Sequence, residues 1–219
     1  MNRKLLLGTG IAVLALAWAP QTSALIGHGF TGHMIRHMGV VALASPLIAL
    51  SVAGSRYDLS ARHSLLFAAV PASLVELVVV WGWHTPAAHD LARESALAYV
   101  GEQASFLLSG LWVWLACFGY GAATKTGRTA AGVVAMLLTS IHMTLLGALL
   151  AMSVRPLYAA HHQVSEALTL LTPLDDQQLG GVMMLLIGGA AYLAGGVALV
   201  GRLLSDDRAP SALTRGGRP

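Results

Sequence analysis

Apolar and polar residues do not alternate along this chain. The apolar residues come in long blocks, at 5–19, 33–53, 64–83, 97–122, 130–153 and 179–204, with short polar stretches between them. A half-buried strand alternates with a period of two, and a soluble helix keeps one charged face. A run of about twenty apolar residues is instead what a helix needs to cross a bilayer. The pattern predicts an all-α integral membrane protein, a bundle of six transmembrane helices. The first block is the shortest, about fifteen residues, which is also the length of a signal-peptide core. Ala17-Trp18-Ala19 and Thr22-Ser23-Ala24 both offer small residues for cleavage. Residues 1–24 are therefore a first transmembrane helix or a signal peptide, and cleavage leaves five helices. Residues 25–204 make the helical bundle, and 205–219 are expected to be a disordered cytoplasmic tail.

Composition supports the membrane reading. Of 219 residues, 56% are hydrophobic and 11% charged, against roughly 25% charged in soluble domains. The formal charge of +3 would suit nucleic acid only if the basic residues clustered on a surface. They sit at the ends of the apolar blocks, where they set orientation in a membrane. With Arg3 and Lys4 in the cytoplasm, Arg56, Arg62, Lys125, Arg128, Arg202, Arg208, Arg215 and Arg218 fall on the same side, and only Arg36, Arg93 and Arg155 fall outside. Both termini are then cytoplasmic, in a multi-pass membrane protein with lipid as its immediate partner and no nucleic acid. The single cysteine, Cys117, excludes an internal disulfide and a CxxC site.

This orientation sorts the histidines. His28, His33, His37, His84, His89, His161 and His162 reach the outer surface, His142 lies within the fifth block, and only His63 is cytoplasmic. His33-Met34-Ile35-Arg36-His37-Met38 opens the second block. On a helix, His33 and His37 fall about 40° apart around the axis, and Met34 and Met38 stand beside them. Two imidazoles and two thioethers on one arc suit a soft ion such as Cu(I). They suit equally a helix start solvated by histidines and packed by methionines. His84, in Trp83-His84-Thr85-Pro86, is held at the outer rim because proline stops the third helix; it is a ligand or a polar helix end. His142, with Met143 beside it, is too deep for casual solvation and needs a metal or a hydrogen-bond acceptor. Glu76 is an ionisable group inside the third block, either balancing a metal's charge or held neutral by a neighbouring helix. Glu102 projects into the outer site or caps the fourth helix in water. Asp175 or Asp176 caps the last helix. Gly181, Gly188 and Gly195 recur every seven residues and read as a packing seam.

Seven pieces, in this order, resemble one family, the multi-spanning CtaG-type assembly factors of caa-type cytochrome c oxidase. They are His33-Met34-Ile35-Arg36-His37, Ser45-Pro46-Leu47, Trp83-His84-Thr85-Pro86, Glu102, His142-Met143-Thr144-Leu145-Leu146-Gly147, Arg155-Pro156-Leu157-Tyr158 and Asp176-Gln177-Gln178-Leu179-Gly180-Gly181. The resemblance implies a non-enzymatic role in maturing the oxidase's copper site. Copper, as Cu(I), would be bound at the outer side by His33, His37, His84 and His142. Met34, Met38 and Met143 would be softer auxiliary ligands, and Glu76, Glu102 and Asp176 would support them or balance charge. The implied partners are the oxidase subunit that carries the copper site and an outer-side copper donor. Where the family carries histidines around the glutamate of the fourth helix, this chain has Tyr99 and Gln103. Fewer ligands, substitution by His89, His161 or His162, or loss of metal binding would each follow. Two other functions remain open from sequence: a haem-binding electron carrier with His37 and His142 as axial ligands, and a small metal-ion transporter.

Overall fold

The structure is a computed structural model that describes residues 2–27, 29–119, 125–158 and 171–207. Among these the chain is helical throughout, without a strand: α1 (Arg3–Trp18), α2 (Pro20–Ile26), α3 (Phe30–Met38), a π-helical turn (Gly39–Ala44), α4 (Ser45–Val52), α5 (Leu59–Arg62), α6 (Ala69–Trp83), α7 (Pro86–Glu94), α8 (Ala96–Phe118), α9 (Lys125–Ala151) and α10 (Pro173–Asp207). Three stretches are long and apolar enough to cross a membrane: Phe30–Val52, Thr126–Ala151 and Pro173–Ser205. His28, His161, His162 and the tail beyond Asp207 lie outside the described residues.

Local chemistry sets the helix ends. Asn2 caps α1 and Asp58 caps α5, each accepting from a backbone N–H two residues on. α6 stops at Trp83 because Thr85 is held extended before Pro86. Pro86 then opens α7, where its missing N–H is harmless. Ser95 caps α8. Thr172 and Asp175 form a reciprocal capping box at the start of α10, the Thr172 amide donating to Asp175 Oδ2 and the Asp175 amide to Thr172 Oγ1, both at 3.2 Å. Thr172 is thus the N-cap of the last helix, in place of the expected Asp175 or Asp176; Asp175 is its partner in the box, and Asp176 is left for another task.

Side-chain contacts fix the relative directions. Trp83 donates to Ser105 and Trp112 to the Leu66 carbonyl, so α6 and α8 are antiparallel. α8 meets α9 where Cys117 faces the Gly132 carbonyl, and α9 meets α10 antiparallel at Ser140–Gly189 and at Gly147–Gly181. α3 and α10 run parallel: Phe30 lies by Asp176, Met34 by Gly180 and Met38 by Gly188. α1 packs antiparallel on α4, with Gly10 against Ile48 and Arg3 donating to the Ala53 carbonyl at 3.0 Å. α6 and α9 are consequently parallel.

The interior is rich in methionine, with Met34, Met38, Met136, Met143 and Met184 wholly buried. The outer faces are apolar too. Leu137, Ile141, Leu145 and Leu149 line up four residues apart on α9 and are exposed, as expected of a helix whose solvent is lipid.

Candidate metal centre

His33 and His37 lie one turn apart on α3 and point the same way, their rings 6.1 Å apart and within 5° of parallel. His84, the residue that ends α6, brings its ring 5.5 Å from His33 and 5.2 Å from His37. His89 on α7 lies 4.9 Å from His33. Imidazoles that share one ion through nitrogen–metal bonds of about 2 Å have ring centroids on the order of 5–6 Å apart. Each imidazole thus stands within or near that range of at least one neighbour. All four residues are buried, and Phe106 on α8 packs 4.0 Å from His37 beneath them.

The nitrogens have distinct surroundings. His84 Nδ1 donates to the Val80 carbonyl at 2.6 Å, which fixes the tautomer and leaves the Nε2 lone pair open. That nitrogen has no hydrogen-bond partner among the described residues, nor has His33 Nε2 or either nitrogen of His37. Burial lowers His84, just past the end of α6, to about 4, so it is neutral, the form that binds metal. Buried polar atoms without partners are rare in folded proteins, and a cluster of them fits an absent ligand.

Charge enters through Arg93 and Glu102. Arg93 Nη2 donates to His33 Nδ1 at 2.7 Å and stands 3.6 Å from Glu102 Oε2. Glu102 Oε1 lies 3.9 Å from His33 Nδ1. One ligand atom each from His33, His89 and Glu102 fall within 4.8 Å of one another. Glu102 is thus wholly buried in the site, not a cap in water. Gln103 donates to it at 3.0 Å and accepts from Trp18 of α1 at 3.0 Å.

A roof covers the cluster. Tyr158 stacks on Phe30 at 4.3 Å and donates its hydroxyl to the His84 carbonyl at 2.6 Å; burial raises its phenol. Gln177 accepts from the Leu157 amide at 2.6 Å, and Gln178 donates to the Ser153 carbonyl at 2.9 Å. Asp176 takes the amides of Phe30 and Thr31 at 2.6 and 3.1 Å. It holds the start of α3 and so aims His33.

Of the residues expected to form the site, the structure gathers His33, His37 and His84 and sets Glu102 beside them. Met34 and Met38 are buried on the other side of α3, against Gly180 and Gly188 of α10, and Met143 meets Gly188 as well. His142 is buried on α9, but its ring makes no contact with the four grouped imidazoles among the described residues. Glu76 lies eight residues, about 12 Å, along α6 from His84, bonded to Tyr192. Sequence reasoning gave Arg93 and Tyr158 no part in the site and His89 only a substitute's place. The available signal was Pro86 followed by His89 and Arg93 at helical spacing, which puts both on one face of α7.

These features define a polytopic helical protein built around a buried imidazole cluster at one end of its bundle. The chain belongs to the cytochrome c oxidase caa3 assembly factor family, whose match covers residues 1–206. No curated protein and no solved structure matches it.

Proposed function

We propose that this chain is a copper-handling assembly factor that holds Cu(I) at the outer face of the bacterial inner membrane for the copper site of a haem–copper oxidase. The observation that carries this reading is the imidazole spacing, 4.9 to 6.1 Å between neighbouring rings, together with the open nitrogens of His37 and His84. His37 and His84 are ready donors. His89 takes the place of the histidines that Tyr99 and Gln103 replace. Met34 and Met38 are the softer groups behind the rings on α3. The charges nearby are Arg36, Arg93 and Glu102, which sum to one positive charge. A monovalent ion adds less repulsion to that set than a divalent one, and neutral imidazole suits Cu(I).

Arg93 has a specific role in this scheme. Its guanidinium occupies His33 Nδ1 and balances Glu102, so an arriving ion replaces it as the cation of the site. α7, which carries both Arg93 and His89, exchanges one contact for the other as metal enters and leaves. The chain crosses the membrane six times with both termini inside. α1 is retained, as its packing on α4 and the Trp18–Gln103 bond support. The copper donor and the oxidase subunit both approach from the outer side.

Cu(I) titration of the full chain in detergent micelles under reducing conditions, against a chromophoric chelator and with elemental analysis, tests this. One tightly held copper is expected, weakened by more than roughly 100-fold in His37→Ala and in His84→Ala, beyond the range for outer-shell partners. A chain that binds no Cu(I), or one that these changes leave unaffected, overturns the proposal. Haem bands in the optical spectrum of the same sample would favour the electron-carrier alternative.

A further inference from the structure

Arg93 meets His33 in a way that fixes where the imidazole keeps its proton. Arg93 Nη2 lies 2.7 Å from His33 Nδ1. A guanidinium has no lone pair to offer, so it donates and Nδ1 accepts. His33 is then neutral and carries its proton on Nε2, which has no hydrogen-bond partner among the described residues. A protonated Nε2 cannot ligate an ion, so in this arrangement His33 is closed to metal. His84 is the contrast: its Nδ1 donates to the Val80 carbonyl, and its Nε2 lone pair is left open.

Glu102 offers His33 the other arrangement, because its two oxygens have different surroundings. Oε2 accepts from Gln103 Nε2 at 3.0 Å and stands 3.6 Å from Arg93. Trp18 decides which way that amide points. An indole nitrogen only donates, so its 3.0 Å bond takes Gln103 Oε1 and leaves the amide nitrogen for Glu102. Glu102 Oε1 is buried without a hydrogen-bond partner and lies 3.9 Å from His33 Nδ1, about 1 Å beyond a hydrogen bond. A buried carboxylate oxygen with no donor is costly. It becomes satisfied as soon as Nδ1 carries a proton. Glu102 is wholly buried, whereas Arg93 is 13% exposed on the short helix α7, so the guanidinium is the group with a way out.

We propose that His33 is a switchable ligand. Arg93 holds it in the Nε2–H tautomer that excludes metal. When Arg93 withdraws, Glu102 Oε1 accepts from the Nδ1–H tautomer, and Nε2 is freed for an ion. The imidazole gives its Nε2 proton to water and takes one at Nδ1, so its net charge is unchanged. Gln103 and Trp18 are positioning residues that keep Oε1 available for this exchange. Its use as a control on copper rests on the copper reading above; the exchange itself belongs to the metal-free chain.

The test is nitrogen NMR of the full chain in detergent micelles, isotopically labelled at the histidine nitrogens, at one neutral pH and without metal. Protonated and unprotonated ring nitrogens give well-separated signals, and those of His33 are assigned by their loss in His33→Gln. In the wild type His33 should carry its proton on Nε2; a proton on Nδ1 overturns the proposal. In Arg93→Leu the proton should move to Nδ1. In Arg93→Leu with Glu102→Leu it should return to Nε2, because the acceptor is gone. An Arg93→Leu spectrum like the wild type's, or a double variant like Arg93→Leu, overturns the proposal. Ag(I), a soft, monovalent and diamagnetic probe, provides the reading on the wild type should Arg93→Leu not fold, as judged by gel filtration. His33 should then carry its proton on Nδ1, and a ring still protonated at Nε2 with Ag(I) bound overturns the proposal. Cu(I) should bind the double variant about 10–100-fold more weakly than Arg93→Leu; equal affinities overturn the role of Glu102. A wild type that binds neither ion sinks the copper reading and leaves the metal-free spectra to decide this one.

Discussion

Asp176 binds backbone at the start of α3, and its removal should disable the imidazole site. The carboxylate accepts from two backbone amides, Phe30 at 2.6 Å and Thr31 at 3.1 Å, while the Thr31 hydroxyl donates to its backbone carbonyl at 2.8 Å. α3 and α10 start side by side and run parallel, so one negative charge serves both positive ends. Asp176→Ala leaves two buried amides without acceptors. Each such loss costs about 1–3 kcal/mol, so roughly 2–6 kcal/mol is expected in total. For a chain of this size that lowers the melting temperature by on the order of 10 °C. His33 is in the first turn of α3, its amide bonded to the Gly29 carbonyl at 3.1 Å, so fraying carries the imidazole away from its neighbours. Thermal unfolding in detergent and Cu(I) competition should therefore fall together, the latter about tenfold. Asp176→Asn, which keeps one acceptor oxygen, should fall between alanine and wild type in both. A melting temperature within about 2 °C of wild type for the alanine variant, or full copper affinity at a lowered stability, would refute the claim that Asp176 aims His33.

Gly29→Ala should reproduce part of that loss, because a methyl group there would sit 2.6 Å from Asp176 Oδ2; chemical unfolding of the pair of variants would show non-additive costs if they act on one contact. Along α10 the glycines should differ sharply. A Cβ on Gly181 meets backbone of α9, Ala151 N at 2.5 Å and Gly147 O at 2.7 Å, whereas on Gly188 the nearest atoms are side chains at 3.4 Å. Gly181→Ala is thus expected to cost about 1–3 kcal/mol or prevent folding and Gly188→Ala less than about 0.5 kcal/mol, read from melting curves. For orientation, exposed Ala87→Cys on α7 should react with an impermeant thiol reagent in intact cells, and exposed Ala61→Cys on α5 only after permeabilisation. The native Cys117 is buried and should contribute no background.

How far the sequence led depended on the kind of signal. Apolar blocks located every long helix, since a helix packed among helices and lipid is apolar all round. Their boundaries obeyed local rules that block-reading passes over. The third block was expected from residue 64, but α6 begins at Ala69, because Pro71 lacks an amide and is accommodated within the first turn. α10 begins at Pro173 rather than 179, on the Thr172–Asp175 capping box. α7 was not anticipated at all, being short and amphipathic between two apolar blocks, and with it went Arg93 and the central place of His89. His33, His37 and His84 could be gathered from spacing and orientation alone. The depth of His142 was legible too, but the Ser73–Thr139 contact that sets α6 against α9 is in no one-dimensional pattern.

Ser45-Pro46 shows how a motif without chemistry can still serve the site. Proline cannot donate to the carbonyl four residues earlier and clashes with it in a regular α-helix. The turn before it widens into the π-helical stretch Gly39–Ala44, and the Ser45 hydroxyl returns to the Val40 carbonyl at 2.8 Å. Widened turns of this kind recur at functional sites because they change which face a helix presents without breaking it. Outward of the turn, α3 gives His33 and His37 to α6, α7 and α8, and Met34 and Met38 to α10. Inward of it, the same span turns small residues to its neighbours: Ser45 abuts Gly110 of α8, where a Cβ would lie 2.8 Å from its hydroxyl, and Ile48 meets Gly10 of α1. A uniform helix over Phe30–Val52 would have to satisfy both neighbourhoods with one stripe. The π turn removes that constraint, so one half is set by the imidazole cluster and the other by close packing.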